Sequence, residues 1–239
     1  MSATASVYEF DFSGGDLSLD FVNTLGDRPR GNEEHLRSWR DLVAWAEQAG
    51  VVSKRAAASL RSDGQTRSDA MARAFSRAIG LRENLYRIFH AQAGGAAPAR
   101  PDLAAFNEAL SGVMGHARVE SHGPEFIWTW SGDVPTIDRV LWPVVRAAAD
   151  LLVSPQRARV RECASDRCSW LFIDQSPTRR RRWCSMKTCG NRDKARRFYE
   201  RAHASRGSEA HGRQGPKAHR LKGSEAGPKA GDPGNSGSS

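Results

Sequence analysis

The four cysteines of the 239-residue chain, Cys163, Cys168, Cys184 and Cys189, all fall within 27 residues. Zinc prefers soft or borderline ligands in a tetrahedron, and two short Cys-to-Cys loops each deliver a pair of thiolates from one side. In the arrangement Cys163-x4-Cys168-x15-Cys184-x4-Cys189 both loops lie at the long end of the usual range. A disulfide framework is the main alternative, yet a chain without a leader and with no other cysteine favours metal. An iron–sulfur cluster or a thiol redox switch would draw on the same side chains. With cysteine at all four positions no site is left open for water, so one structural Zn2+ is expected rather than a catalytic one.

The elements that must position these thiols are short. The roughly 45 residues from Arg157 to Arg201 are too few to hold a stable core alone, so metal binding is expected to supply folding energy. Val160 and Trp170-Leu171-Phe172-Ile173 read as two short strands around the first pair, and a helix is expected from Asn191 to about His203. On that helix Ala195, Phe198, Tyr199 and Ala202 share one face and are expected to pack on the zinc core. Gly190, directly after Cys189, would let the backbone turn tightly around the metal.

Charge separates this segment from the rest. Residues 1–154 carry 16 basic against 19 acidic side chains, residues 155–204 carry 14 against 5, and residues 205–239 carry 6 against 3. The middle segment is thus +9, and remains +7 after the −2 of a tetrathiolate zinc centre. Ten of its 14 cations gather around the second cysteine pair and the following helix: Arg179, Arg180, Arg181, Arg182, Lys187, Arg192, Lys194, Arg196, Arg197 and Arg201. A solvated face is the ordinary explanation of a charge run, but this density on a zinc module points to nucleic acid. Phosphates would be held by the arginine cluster and the N-terminus of the Asn191 helix, with base reading assigned to Asn191, Arg192 and Arg196.

The run Cys163-x4-Cys168-Ser-Trp-Leu-Phe-Ile-Asp174, followed by Arg181-Arg-Trp-Cys-Ser-Met186 and Cys189-Gly-Asn-Arg192-x-Lys194, resembles the CGNR zinc-finger family over nearly all of residues 159–201. Near the other end, Gly14-Gly15-x-Leu-x-Leu-Asp-Phe-Val-Asn-Thr24 is similar to the opening motif of the ABATE-type domain that usually precedes that finger. The two resemblances imply a stress-induced bacterial transcription regulator.

Residues 36–152 are mostly helical in period. Leu36, Trp39, Val43 and Ala46 recur at helical spacing up to Gly50, and Met71, Phe75, Ala78, Ile79, Leu85 and Phe89 form a longer stripe ending at Gly94-Gly95. Leu103, Phe106 and Leu110 follow Pro101, while Ile137, Leu141, Val144, Ala148 and Leu151 form a last helix, with Pro143 expected to bend it. Between them, 118–121 and 125–130 read as a hairpin across His122-Gly123-Pro124. The aromatic stripes are read as core. The motif Gly14–Thr24 reads equally as a strand or a helix start; Asp20 and Asn23 either bind an effector or hydrogen-bond local backbone.

No P-loop, dinucleotide fingerprint, G-x-S-x-G or H-E-x-x-H occurs, and the histidines show no metal-ligand spacing, so no enzyme activity is expected. No apolar run approaches a membrane span and the opening residues lack the features of a secretory leader, which places the protein in the cytoplasm, on the nucleoid when bound to DNA. The expected fold class is α+β: a mostly helical ABATE-like regulatory domain with a small hairpin over 1–154, and a treble-clef-like or ribbon-like zinc module over 155–204. A disordered Gly/Ser/Pro/Lys tail over 205–239 completes the chain. The expected function is a regulator binding double-stranded DNA, with a small-molecule effector and a homodimer left open. A zinc-stabilised adaptor docking an acidic protein is the rival, and RNA binding, with Trp170, Phe172 and Trp183 as stacking platforms, is a third reading.

Overall fold

The structure, a computed structural model, describes residues 8–31, 33–62, 68–131 and 137–211, with the backbone alone described for residues 137 and 202–211. The chain divides into two compact units, the first ending at Ala195 and the second beginning at Arg196. No helix among the described residues is long and apolar enough to cross a membrane.

The undecided Gly14–Thr24 motif is helical. Asp16 caps α1 (Leu17–Val22) by accepting from Ser18 N at 2.8 Å, and the chain then forms β1 (Leu25–Gly26), which pairs antiparallel with β2 (Glu33–Glu34). Ser38 caps α2 (Trp39–Gln48), and Gly50 at φ +71° ends the turn beyond it as its sequence position suggests. A helix that the apolar pattern does not single out, α3 (Lys54–Ser62), buries just Ala57 and Leu60. The longest helix, α4 (Ser68–Ala93), is followed by α5 (Arg100–Met114), with Pro101 in its first turn. Val140, Leu141 and the apolar face of α6 (Trp142–Val153) close the core.

Pro143 does not bend a helix interior. A 3-10 stretch over Ile137–Leu141 gives way to α6, and Pro143 sits in the first turn, where its missing N–H has no partner to lose. Phe21, Trp45, Leu85 and Phe89, all fully buried, form the centre of the body, with Phe21 and Trp45 rings 5.1 Å apart. Arg82, 2% exposed, is the one buried guanidinium among the described residues: both its Nη atoms reach Glu34 at 2.7 Å and its Nε reaches Glu83 at 3.0 Å. That pairing ties β2 to α4, and a buried guanidinium needs such partners to be tolerated.

The hairpin forms as its sequence predicts, β3 (Ala117–His122) against β4 (Glu125–Trp130), with Gly123 at φ +64° in the turn. Its burial does not follow the core reading: Val119, Phe126, Ile127 and Trp128 are exposed, Phe126 at 76%. Alternation shows which side chains share a face of a strand, not whether anything covers that face.

The cysteine-bearing segment continues the first unit. β5 (Val160–Glu162) pairs antiparallel with β6 (Leu171–Ile173). Leu171 and Ile173 belong to the core of the helical body, whereas Phe172 between them packs with the cysteines. The expected helix starts at Asn191 and runs, as α7 (Asn191–His211), past the expected limit near His203. The tail expected to be unordered from 205 is therefore helical as far as His211, and residues 212–239 lie outside the described residues. Phe198 and Tyr199, in the second unit, are 64% and 63% exposed.

Candidate metal centre

Cys163 and Cys168 lie in the β5–β6 connection, where Cys163 N donates to the Trp170 carbonyl at 2.9 Å and Cys168 N to Ser165 O at 3.1 Å. Cys184 follows the arginine run, and Cys189 lies in the π-helical turn Met186–Gly190 that leads into α7. A knuckle in a hairpin facing a second pair at a helix start is the treble-clef-like arrangement expected from the sequence. Gly190 is not at positive φ, and the atom nearest a Cβ there would be Met186 Sδ at 2.6 Å, the end of an exposed side chain that can move aside, so the structure does not demand glycine at this turn.

The four sulfurs all lie within 4.8 Å of one another, and no other such group of ligands occurs among the described residues. Cys168 Sγ is 3.8 Å and Cys189 Sγ 3.7 Å from Cys184 Sγ. A tetrahedron with Zn–S bonds of about 2.3 Å has edges of about 3.8 Å, so these two edges stand at the spacing that zinc imposes. Without a cation, thiols this close must share protons. Hydrogen bonding from Cys168 and Cys184 brings Cys163 down to about 7 and that from Cys163 and Cys168 lowers Cys189, while Cys168 and Cys184 are pushed up by their thiol neighbours. A divalent metal removes that conflict, and the site is one for a single structural zinc ion. Phe172, Trp170 and Trp183 pack around it, Phe172 fully buried, so these rings serve as its apolar wall rather than as stacking platforms.

The cations expected to meet nucleic acid divide by use. Arg179, Arg180, Arg182, Lys187, Arg192 and Lys194 are exposed around the centre. Among the described residues the side chains of Arg179, Arg180 and Lys187 make no ion pair, and Arg182 lies 5.2 Å over the Trp183 ring. Arg192 Nη1 reaches the Arg167 carbonyl at 3.4 Å, and Asn191 spends its Nδ2 on the Lys187 carbonyl. Arg181 is committed to structure: its guanidinium stacks 4.5 Å over Phe172 and bonds the Trp183 and Cys184 carbonyls, so it holds the second cysteine loop in place. Within the second unit Arg196 pairs with Glu200 at 3.1 Å and Arg201 Nε bonds the Arg197 carbonyl.

Asp174, the last residue of the first cysteine motif, has a role that the motif alone does not assign. It is buried and accepts from Ser176 N, Ser176 Oγ and Arg181 N at 2.6–3.1 Å. Burial works to raise its pKa, but these donors outweigh it and hold the carboxyl below its usual range. It thereby shapes the turn that presents Arg179, at φ +52°, and Arg180. The Asp-x-Ser spacing just after a strand is the local signal for such an Asx turn.

Of the two readings of Asp20 and Asn23, effector binding or hydrogen bonding to local backbone, the structure shows bonds to backbone, for Asn23 to a strand far along the chain. Asn23, 3% exposed, donates from Nδ2 to the Leu171 carbonyl at 2.8 Å and accepts from Leu171 N at Oδ1 at 2.9 Å. Asp20, 8% exposed, accepts from Gly14 N at 2.8 Å, and the Gly14 carbonyl accepts from Ile173 N at 2.9 Å. The N-terminal motif thus grips β6 on both sides of Phe172, and its glycine is required by space, since a Cβ on Gly14 would lie 2.7 Å from Asp20 Oδ1. A second strap joins Arg28 N to Ser169 Oγ at 3.3 Å and Arg30 to Asp166 at 3.0 Å.

Three outcomes follow from this geometry. Elemental analysis of the purified chain should find about one zinc per chain, lost on any Cys→Ser change at 163, 168, 184 or 189; iron with a visible absorption band would overturn the assignment. Asn23→Ala strips both backbone groups of buried Leu171 of their partner and should cost on the order of 3 kcal/mol in urea denaturation. Burial, opposed by the Gly14 N–H and helped by Asp16 and Asp11, pushes the Asp20 carboxyl up to about 7. A carboxyl raised on folding favours the fold while protonated, so its contribution is full below about 4 and declines as pH rises to about 7. Relative to Asp20→Asn, the wild-type chain should lose stability over that window, by at most about 1.4 kcal/mol per pH unit.

Comparison with known families matches residues 159–202 to the CGNR zinc finger. Comparison with curated proteins returns no match. Residues 15–155, more than half of the chain, match the ABATE family, described as "Putative stress-induced transcription regulator", and the chain belongs to that family, with a CGNR zinc finger following its ABATE region.

Proposed function

We propose that this protein is a transcription regulator of the cytoplasm, acting at the nucleoid, that binds double-stranded DNA through the basic surface around its zinc centre and is not an enzyme. The observation that carries the reading is the fixed presentation of unpaired cations: Asp174 shapes the turn bearing Arg179 and Arg180, and the zinc loop itself bears Lys187. Cations held by a rigid scaffold lose little entropy on meeting phosphate, and their release of counterions drives binding. Arg182, Arg192 and Lys194 extend the same basic surface. The family description supports the regulatory role.

Within this reading Arg179, Arg180, Arg182 and Lys187 position the duplex, and Arg192, at the start of α7, reads base edges. Arg181 contributes through the loop that it holds rather than by direct contact. A competition assay tests the proposal: labelled duplex from upstream of the protein's own gene, challenged with unrelated duplex and with RNA at physiological salt. Specific binding should survive an excess of about a thousandfold of unrelated duplex. Raising salt from 50 to 200 mM should weaken binding by about a thousandfold if six phosphates are neutralised. Arg180→Ala should weaken all sequences alike and Arg192→Ala should relax sequence preference; equal, sequence-blind losses from both would count against base reading by Arg192. Collapse against every competitor would instead favour an acidic protein as the partner.

A further inference from the structure

The β3–β4 hairpin combines an exposed apolar face with a strand edge that meets no further strand among the described residues. On one face Val119, Phe126 and Trp128 stand side by side through the pairs Val119↔Trp128 and Ser121↔Phe126. All three are exposed, at 57%, 76% and 48%. Only its base is backed by the body, where Trp130 lies 5.7 Å from Trp142 and Arg146 sits 4.7 Å over Trp128. Contiguous apolar surface rather than scattered single residues marks an interaction site.

Backbone polarity shows how the edge can be used. Ser131 N donates to the His116 carbonyl at 2.7 Å, which makes 116 and 131 a hydrogen-bonded pair of the antiparallel ladder. By alternation Arg118, Glu120 and His122 direct their backbone groups at β4, while Ala117, Val119 and Ser121 direct theirs outward. Among the described residues β3 has β4 as its sole strand neighbour. The outward carbonyl of Ala117 is met by the Arg118 side chain of its own strand, at 2.7 Å. On the β4 side Arg139 likewise covers the Trp130 carbonyl at 3.1 Å, but from outside the hairpin, whereas Arg118 belongs to β3 itself and must turn from Ala117 for the edge to pair.

We propose that β3 is a homodimer interface, pairing antiparallel with β3 of a second copy about a twofold axis at Val119. Two independent requirements select this register. Hydrogen bonding requires outward-facing residues to meet, and centring on Val119 pairs Val119 with its copy and Ala117 with Ser121 of the copy. The same register sets Arg118 opposite Glu120 of the copy, twice by symmetry and on one face, where oppositely charged neighbours attract. Centring on Ala117 or Ser121 instead would set Arg118 against His116, or Glu120 against His122. Antiparallel pairing also brings the exposed tip of each hairpin beside the body-backed base of the other. Residues 212–239 are a poor strand for this edge, because they hold one large apolar side chain, Leu221, among repeated Gly and Pro.

The test is the oligomeric state of the full, zinc-loaded chain by sedimentation equilibrium, free of DNA. The wild type should be dimeric. Glu120→Arg sets like charges opposite each other twice and should weaken the dimer by about tenfold or more, and adding Arg118→Glu should restore it to within about threefold. Phe126→Ser, at a side chain with no role in the monomer core, should weaken it independently. Both positions are exposed, and circular dichroism checks that each variant is folded. A wild-type chain monomeric at its highest soluble concentration would overturn the proposal. So would a dimer indifferent to Glu120→Arg and Phe126→Ser, or one that the double charge swap fails to rescue.

Discussion

The pair of hydrogen bonds between the Asn23 side-chain amide and the backbone of Leu171 spans 148 residues of sequence and joins the opening helix of the chain to the strand behind its cysteines. A carboxamide offers a donor and an acceptor side by side, so it completes one strand residue as a neighbouring strand would. β6 therefore needs only one strand partner, β5, and its other side is finished by a helix end and by the Gly14 carbonyl. This arrangement lets a three-residue strand serve two cores, with Leu171 and Ile173 turned into the helical body and Phe172 into the wall of the metal centre. The entropy of fixing the cysteine loops is met from two sources, zinc coordination and apolar burial in the body.

Much of this was legible in the sequence where the cause is local. The cysteine spacing specified the metal centre, and the glycine-terminated apolar stripes specified α2 and α4, because a buried helix face repeats within a few residues. The strand pairs around Cys163 and around Gly123 were legible for the same reason. α3 was not, since its two buried residues are too few to set a period. Pro143 was read as an interior kink because an apolar period cannot distinguish a 3-10 entry from an α-helix.

What stayed hidden depends on partners distant in sequence. Nothing near Asn23 announces Leu171, so its polarity leaves a ligand and a local backbone partner both open, and the strand it serves lies 148 residues away. Four consecutive arginines look equivalent on paper, yet Arg181 alone of them is spent on the Phe172 ring and two carbonyls, because Asp174 fixes the turn before it. The exposed aromatics of the hairpin invert the usual expectation for such residues, and their exposure, rather than their type, is the informative observation.

The division of β6 between two cores bears on how such a finger could be moved between proteins. A zinc finger that carries its own core can be cut out and attached elsewhere as an independent cassette. This one cannot: excised near residue 158 it would turn Leu171 and Ile173 out to water and leave the Leu171 amide without Asn23, whatever the metal supply. Moving the finger onto an unrelated domain would have to bring along a substitute for the Gly14–Asn23 grip.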